Sequence, residues 1–336
     1  MRRAVAVALL AALALPACFG GGDEEAPHVA VGFLRAVAGQ DLSPVLDELR
    51  RAGFVEGRNL TLFAKDDDEV HPDPADAERV VGEWVEEGLD VVVAFSSTGA
   101  AAASRAAPDA DILCLTNDPV AVGLLENEER PEGRLTGVTF RVPADRTLAL
   151  LRQALPGLAV LGFLEPEGDP AAVPHRIAAE AAAEDANIDL LVEAFAADAA
   201  VGAAVDALVD AGAEAILVAN APTAVMAMAR IEGAARRRSV ALVANSPRAP
   251  DAVLVVTPDV AELQAQLGRQ AVRLLNGAEP SDVPVEDPRR FRVTINALRA
   301  EELGIGPLPG DLLRQADDVI GADTGDVRSA SESAGG

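Results

Sequence analysis

The chain has no tyrosine, one tryptophan (Trp84), one lysine (Lys65), two cysteines (Cys18 and Cys114) and three histidines. Each scarcity removes a class of chemistry. Two distant cysteines cannot make a C-x-x-C redox or zinc motif. His28, His71 and His175 lie too far apart for metal-ligand spacing, and no H-E-x-x-H occurs. The lysine follows no glycine-rich turn, which excludes a phosphate-cradling P-loop. No serine sits in G-x-S-x-G. "GIGPLPG" (residues 304–310) is glycine-rich but lacks the dinucleotide spacing and carries two prolines. With no nucleophile, acid–base pair or metal set, the sequence reads as that of a non-enzyme with no cofactor. Positive charge is also short: the formal net charge is −26. Such a chain is repelled by nucleic acid, and no nucleic-acid partner is expected.

What is present is aliphatic. Hydrophobic residues make up 50% of the chain and aromatics only 3%, so its cores must pack from Ala, Val and Leu. A length of 336 residues is enough for two domains. Cys114, in the apolar run "ILCL", reads as a small buried hydrophobe. The acidic stretch "DDDEVHPDPAD" (residues 66–76) lacks the glycine and terminal glutamate of an EF-hand. It reads as a solvated loop, with a calcium or magnesium site as the alternative.

The first residues carry an address. Arg2 and Arg3 precede "AVAVALLAALAL", about a dozen apolar residues where a bilayer span needs roughly twenty. This is the layout of a secretory signal peptide over residues 1–17. "LPAC" (residues 15–18) resembles a bacterial lipobox, which makes Cys18 the candidate lipidated residue and 18–27 a lipidated linker. An ordinary signal peptide with an incidental cysteine is the alternative. A lipid on Cys18 places the protein on the extracytoplasmic face of the cell membrane.

Beyond the linker, β-like runs alternate with helical ones. "HVAVGFL", "NLTLFA", "DVVVAF", "ILCLT" and "RLTGVTF" read as strands separated by amphipathic helices. Gly53 and Gly88 stand where two of those helices should close. "AVLGFLEP", "IDLLVEAF", "EAILVAN", "VALVAN" and "DAVLVVTPD" repeat the alternation. The expected class is α/β, with parallel sheets covered by helices on both faces. A long amphipathic helix follows Asp259, its expected N-cap, and ends near Gly277. "VPVEDPRRFRVTIN" reads as an extended segment broken by prolines, and residues 321–336 as a disordered tail.

Ligands of parallel sheets sit beyond the carboxyl ends of the strands. Ser96, Ser97 and Thr98 fall there, at a helix start whose free N–H groups and positive dipole suit a carboxylate. Simple N-capping is the alternative. Asn117 and Asp118 follow the next strand. Asp118 can accept from an ammonium or serve a turn before proline. Asn220, Asn245 and Thr257 end strands of the second half. These eight are the candidate ligand-binding residues for a small polar molecule.

At this point the segments resemble a family. "GFVEGRNLTL" (residues 53–62) is similar to the G-Y-V-E-G-R-N-L stretch of ABC-importer substrate-binding proteins of the tryptophan/tyrosine or sugar type. "DVVVAFSSTGAAAASRA", "NDPVAVGLL", "RPEGRLTGVT", "LLNGAEPSDVPVEDPRRFRVTIN" and "ALRAEELGI" follow in the family's order. The resemblance implies a two-lobed type I periplasmic-binding fold that closes on its ligand, with an ABC permease and a separate ATPase as partners. It implies a first lobe of residues 28–142 and 259–277 and a second of 143–256 and 278–320, in a monomer. A ligand-binding lipoprotein sensor on the same fold is the alternative function. Where relatives have tyrosine and glycine before "PD", this chain has Val256 and Thr257. Without tyrosine, any ring stacking on a ligand falls to Phe33, Phe95, Phe140 or a similar phenylalanine.

Overall fold

The computed structural model describes residues 27–35, 39–66 and 68–321. The expected signal segment, Cys18 and the tail after Gly321 lie outside the described residues.

The first lobe alternates β1 (Val29–Leu34), α1 (Ser43–Arg51), β2 (Leu60–Phe63), α2 (Pro74–Glu86), β3 (Val91–Ala94), α3 (Ser97–Ala106), β4 (Asp111–Thr116) and β5 (Leu135–Thr139). Its five strands are all parallel, in the order β2-β1-β3-β4-β5. β1, β3, β4 and β5 are buried at every position, as a sheet covered on both faces requires. α2 starts where the Asp73 carboxylate accepts from the Ala75 and Asp76 N–H groups. Gly53 and Gly88, both at φ +92°, close α1 and α2 in the left-handed region as expected.

The second lobe holds α4 (Ala144–Ala154), β6 (Val160–Pro166), α5 (Ala172–Ala186), β7 (Asp189–Phe195), α6 (Val201–Asp210), β8 (Ala215–Val218), α7 (Pro222–Met226), α8 (Met228–Arg237), β9 (Ala241–Ala244) and β10 (Leu254–Pro258). After α9 (Val260–Leu275) come β11 (Phe291–Asn296), α10 (Ala297–Glu302), α11 (Gly310–Leu313) and β12 (Asp318–Ile320). The sheet order is β12-β11-β10-β9-β8-β6-β7. β11 runs antiparallel to β10 and the other pairs are parallel. Each sheet carries a buried apolar cluster on both faces.

α9 leaves the second sheet and returns to the first lobe. Asp259 caps it by accepting from the Glu262 N–H. Leu263, Leu267 and Ala271 enter the cluster formed by Val45, Leu49 and Phe33. The crossing with α1 is close at Gly268, where an added Cβ would lie 2.8 Å from Glu48 Cβ and 3.0 Å from the Val45 carbonyl.

Residues 278–287, expected in the second lobe, lie against the first. The Val285 N–H donates to the Glu128 carbonyl and the Glu286 N–H to the Gly137 carbonyl, while the Thr139 N–H returns to Glu286. Thr136 Oγ1 donates to the Val283 carbonyl at 2.5 Å. Pro280, Pro284 and Pro288 lack N–H donors, which suits the segment to a sheet edge and not to a sheet interior. The chain therefore passes between the lobes near residues 142, 258 and 288.

Candidate functional site

The lobes face each other across a small cavity lined from both sides. The first lobe contributes Asn117 and Asp118, just past β4, and Arg141, just past β5. Val142 stands at the crossing. The second lobe contributes Ala171, Pro174, His175 and Ala178 from the start of α5, with Asn220 past β8 and Asn245 past β9. All the strand-end residues sit at carboxyl ends, where the sheet topology concentrates free backbone ends and helix N-termini.

Four of the candidate residues converge here. The Asn117 side-chain amide donates across the cleft to the Asn220 carbonyl. The Asn220 side-chain amide donates to the Phe140 carbonyl at 3.4 Å. Asp118 Oδ1 accepts from the Val120 and Ala121 N–H groups at 3.0 and 2.8 Å, the turn role expected before Pro119. Its Oδ2 lies 4.0 Å from Arg141 Nε. Asn245 is only 2% exposed. Its Nδ2 donates to the Val256 carbonyl at 2.9 Å, and its enclosed Oδ1 has no hydrogen-bond partner.

The other four stand elsewhere. Ser96 Oγ accepts from the Gly99 N–H at 3.0 Å, so it caps α3. Ser97 is half-buried and Thr98 exposed in the first turn of that helix, and neither borders the cavity. The Ser96 hydroxyl is thus taken up by the cap, the alternative expected for this cluster. Thr257 is buried beside a separate hollow lined by Asp259, Arg292 and Asp318. The expected stacking rings also fall short. Phe33 is fully buried in the core, while Phe95 and Phe140 pack against the same cluster.

Two cavity residues were not anticipated, His175 and Arg141. α5 lays His175 over β6, with its ring edge-on to Phe163 at 5.2 Å between centroids. Its Nδ1 accepts from the Asn220 N–H at 2.8 Å, which places the neutral ring's proton on Nε2. Burial pushes the imidazole down to about 4, only partly offset by the neighbouring Asn245 amide. Nε2 is enclosed and lies near that amide without reaching hydrogen-bond geometry. Arg141 gathers Glu128, Asp287 and the Asn117 carbonyl around its guanidinium. A histidine in the first turn of the helix after a strand end was the available signal for His175. Arg141 lies beside the Phe140 strand end and offered none in composition.

Chemically, the cavity presents amides, a carboxylate, a guanidinium and an uncharged imidazole against small aliphatic walls. Among the described residues no group of His, Cys, Asp or Glu side chains is arranged to hold a metal. The acidic loop instead serves the first lobe. Arg35, buried after β1, donates to the Ala64 and Asp66 carbonyls, and His71 Nδ1 meets Asp76 Oδ2 at 2.7 Å. Among the described residues no helix is long and apolar enough to cross a membrane.

Known proteins share this architecture. An ABC domain in complex with L-Trp from Streptococcus pneumonia superposes with a TM-score of 0.72 at 21% identity, covering 87% of this chain and 100% of that one. A ligand-free, open substrate-binding protein with adhesive properties from Clostridium difficile gives 0.72 at 20% identity, over 87% and 99%. A conserved domain protein from Vibrio cholerae gives 0.70 at 24%, over 88% and 99%. In sequence, a tyrosine-binding protein of Clostridioides difficile is 26% identical over 117 residues, which is 34% of this chain and 33% of that protein. The match thus spans about a third of that relative's length. Residues 40–320 match the family described as ABC transporter substrate binding protein, and this chain belongs to that family of extracytoplasmic solute-binding proteins, which are not enzymes.

Proposed function

We propose that the chain captures a small polar solute, an amino acid or a similar molecule, between its lobes. It then delivers that solute to an ABC permease driven by a separate ATPase. The observation that carries this reading is the cavity to which both lobes contribute polar side chains. A ligand that bonds Asn117 and Asp118 on one side and His175, Asn220 and Asn245 on the other is fully contacted only when the lobes are together. Its binding energy then favours closure by the difference in affinity between the two states. The relatives described as binding tyrosine and L-Trp support an amino acid as the class.

Native mass spectrometry of the purified protein identifies a retained solute by its mass. Calorimetry with that solute then tests the site. Asn245→Ala removes the enclosed Oδ1 and is expected to weaken binding by about 1–3 kcal/mol. Ser97→Ala, outside the cavity, should leave affinity unchanged. Equal affinities for Asn245→Ala and the parent would place the site elsewhere.

Anchoring through Cys18 belongs to the same proposal. A receptor tethered by lipid and the "FGGGDEEAP" linker stays beside its permease. Labelled palmitate should enter the parent and not Cys18→Ala. An unlabelled parent overturns the anchor and leaves the cavity assignment untouched.

A further inference from the structure

Charge is uneven around the cavity. Arg141 carries the guanidinium on its wall, and that group is already engaged. Its Nε donates to the Asn117 carbonyl and its terminal nitrogens to Asp287 and Glu128, with Asp118 Oδ2 at 4.0 Å as a third carboxylate. One positive charge among three negative ones leaves the site negative. Asp118, Arg141, Pro174 and Ala178 are shared with a wider hollow on the outer side, where Glu126, Glu128 and Glu129 face Val173 and Ile177 of α5. Glu126 and Glu129 are exposed. A concave mouth lined by one sign of charge concentrates ligands of the other sign.

The deep end has a different character. Asn245 Oδ1 is an enclosed acceptor without a partner, and His175 Nε2 an enclosed donor without one. The two are each other's nearest complement, and an amino-acid head group would part them, its ammonium donating to Asn245 Oδ1 and its carboxylate accepting from His175 Nε2. An enclosed polar atom left unpaired is costly, so a ligand that satisfies both gains from it. Between the two ends the walls are aliphatic: Val142, Ala171, Pro174 and Ala178. Among the described residues no phenylalanine or tryptophan lines the cavity.

Resting on the solute-capture reading above, we propose that the ligand is an aliphatic amino acid whose side chain carries a positive charge. Its head lies at His175 and Asn245 and its cationic end points toward Glu126, Glu128 and Glu129. This class differs from the aromatic amino acids named for the relatives, and the missing rings are the reason.

The test is calorimetry with four probes: L-lysine, L-norleucine, cadaverine and L-tryptophan. Norleucine keeps the lysine chain without its terminal charge, and cadaverine keeps the charge without the carboxylate. Lysine is expected to bind about tenfold or more tightly than norleucine at low salt, with the gap narrowing as salt is added. The double variant Glu126→Gln/Glu129→Gln should narrow the same gap without changing norleucine affinity. Norleucine or tryptophan binding as tightly as lysine overturns the charged-ligand proposal and leaves solute capture standing. Cadaverine equal to lysine overturns the head-group assignment. Binding by none of the four also overturns the proposal. A retained solute of another class in native mass spectra would then uphold the broader reading, and no retained solute in a cooperatively folded sample would count against both.

Discussion

Gly137→Ala is expected to destabilise the protein by about 3 kcal/mol, the upper end of the cost of forcing atoms into a packed interior. Gly137 sits in the middle of β5 at φ +155°, where an L side chain is strained. A Cβ there would lie 2.0 Å from the Cys114 carbonyl oxygen and 2.7 Å from the Cys114 nitrogen. Those are backbone atoms of the paired strand, so no rotamer change relieves the clash. β5 cannot shift away cheaply, because the Gly137 carbonyl also accepts from the Glu286 N–H on its other side. Opening either ladder disturbs the strand that ends beside Arg141 and the cavity. A urea titration checks this: the midpoint should fall with an unchanged slope. Gly157→Ala is the control, since nothing lies within 4 Å of its added Cβ. It should change stability by less than about 1 kcal/mol. Matching midpoints for the two variants would mean that β5 is not held between two ladders.

That clash shows what sequence reading can and cannot reach. "RLTGVTF" announces a strand, because alternation and β-branched residues are local properties. The consequence of its glycine depends on Cys114, which lies on β4, and on Glu286, which arrives from the far end of the chain. The same division runs through the molecule. Asp259 was legible as a cap because its partner, Glu262, is three residues away. Asn117, Asp118, Asn220 and Asn245 were legible as a converging set, and they line the cavity, because a parallel sheet gathers its carboxyl ends on one side. Ser96 was equally well placed, yet its hydroxyl had a nearer use in the cap of α3. β12 escaped, and the edge segment 278–287, read in part as extended, was expected on the second lobe, because in both cases the partners are distant in sequence. His175 escaped for a different reason. Its one signal was a place in the first turn of the helix after a strand end, and it joins the cavity lining only through burial against Phe163 and the Asn220 N–H.

Acidification should weaken the folded state through His175. In the unfolded chain its imidazole takes up a proton near its ordinary value of 6.5, whereas in the folded protein burial holds that value down to about 4. The folded value is the lower one, so the unfolded state binds the proton more readily and stability falls as pH drops from about 6.5 toward 4. The loss approaches about 3 kcal/mol at the bottom of that window and is absent above pH 7. Protonation is resisted because Nδ1 already accepts from the Asn220 N–H, Phe163 closes one side, and only the Asn245 amide favours the charge. Other titrating groups will also contribute to acid unfolding, so the measurement is a comparison. Wild type and His175→Gln are titrated with urea at pH 7 and at pH 4.5, and the two pH dependences are subtracted. The substituted glutamine cannot take up a proton, so the variant should lose about 2 kcal/mol less than wild type over that interval. Equal losses would show that the imidazole titrates normally and is not enclosed. Nitrogen chemical shifts give an independent reading: the ring should remain a neutral Nε2–H tautomer at pH 5, where an exposed histidine is already mostly charged.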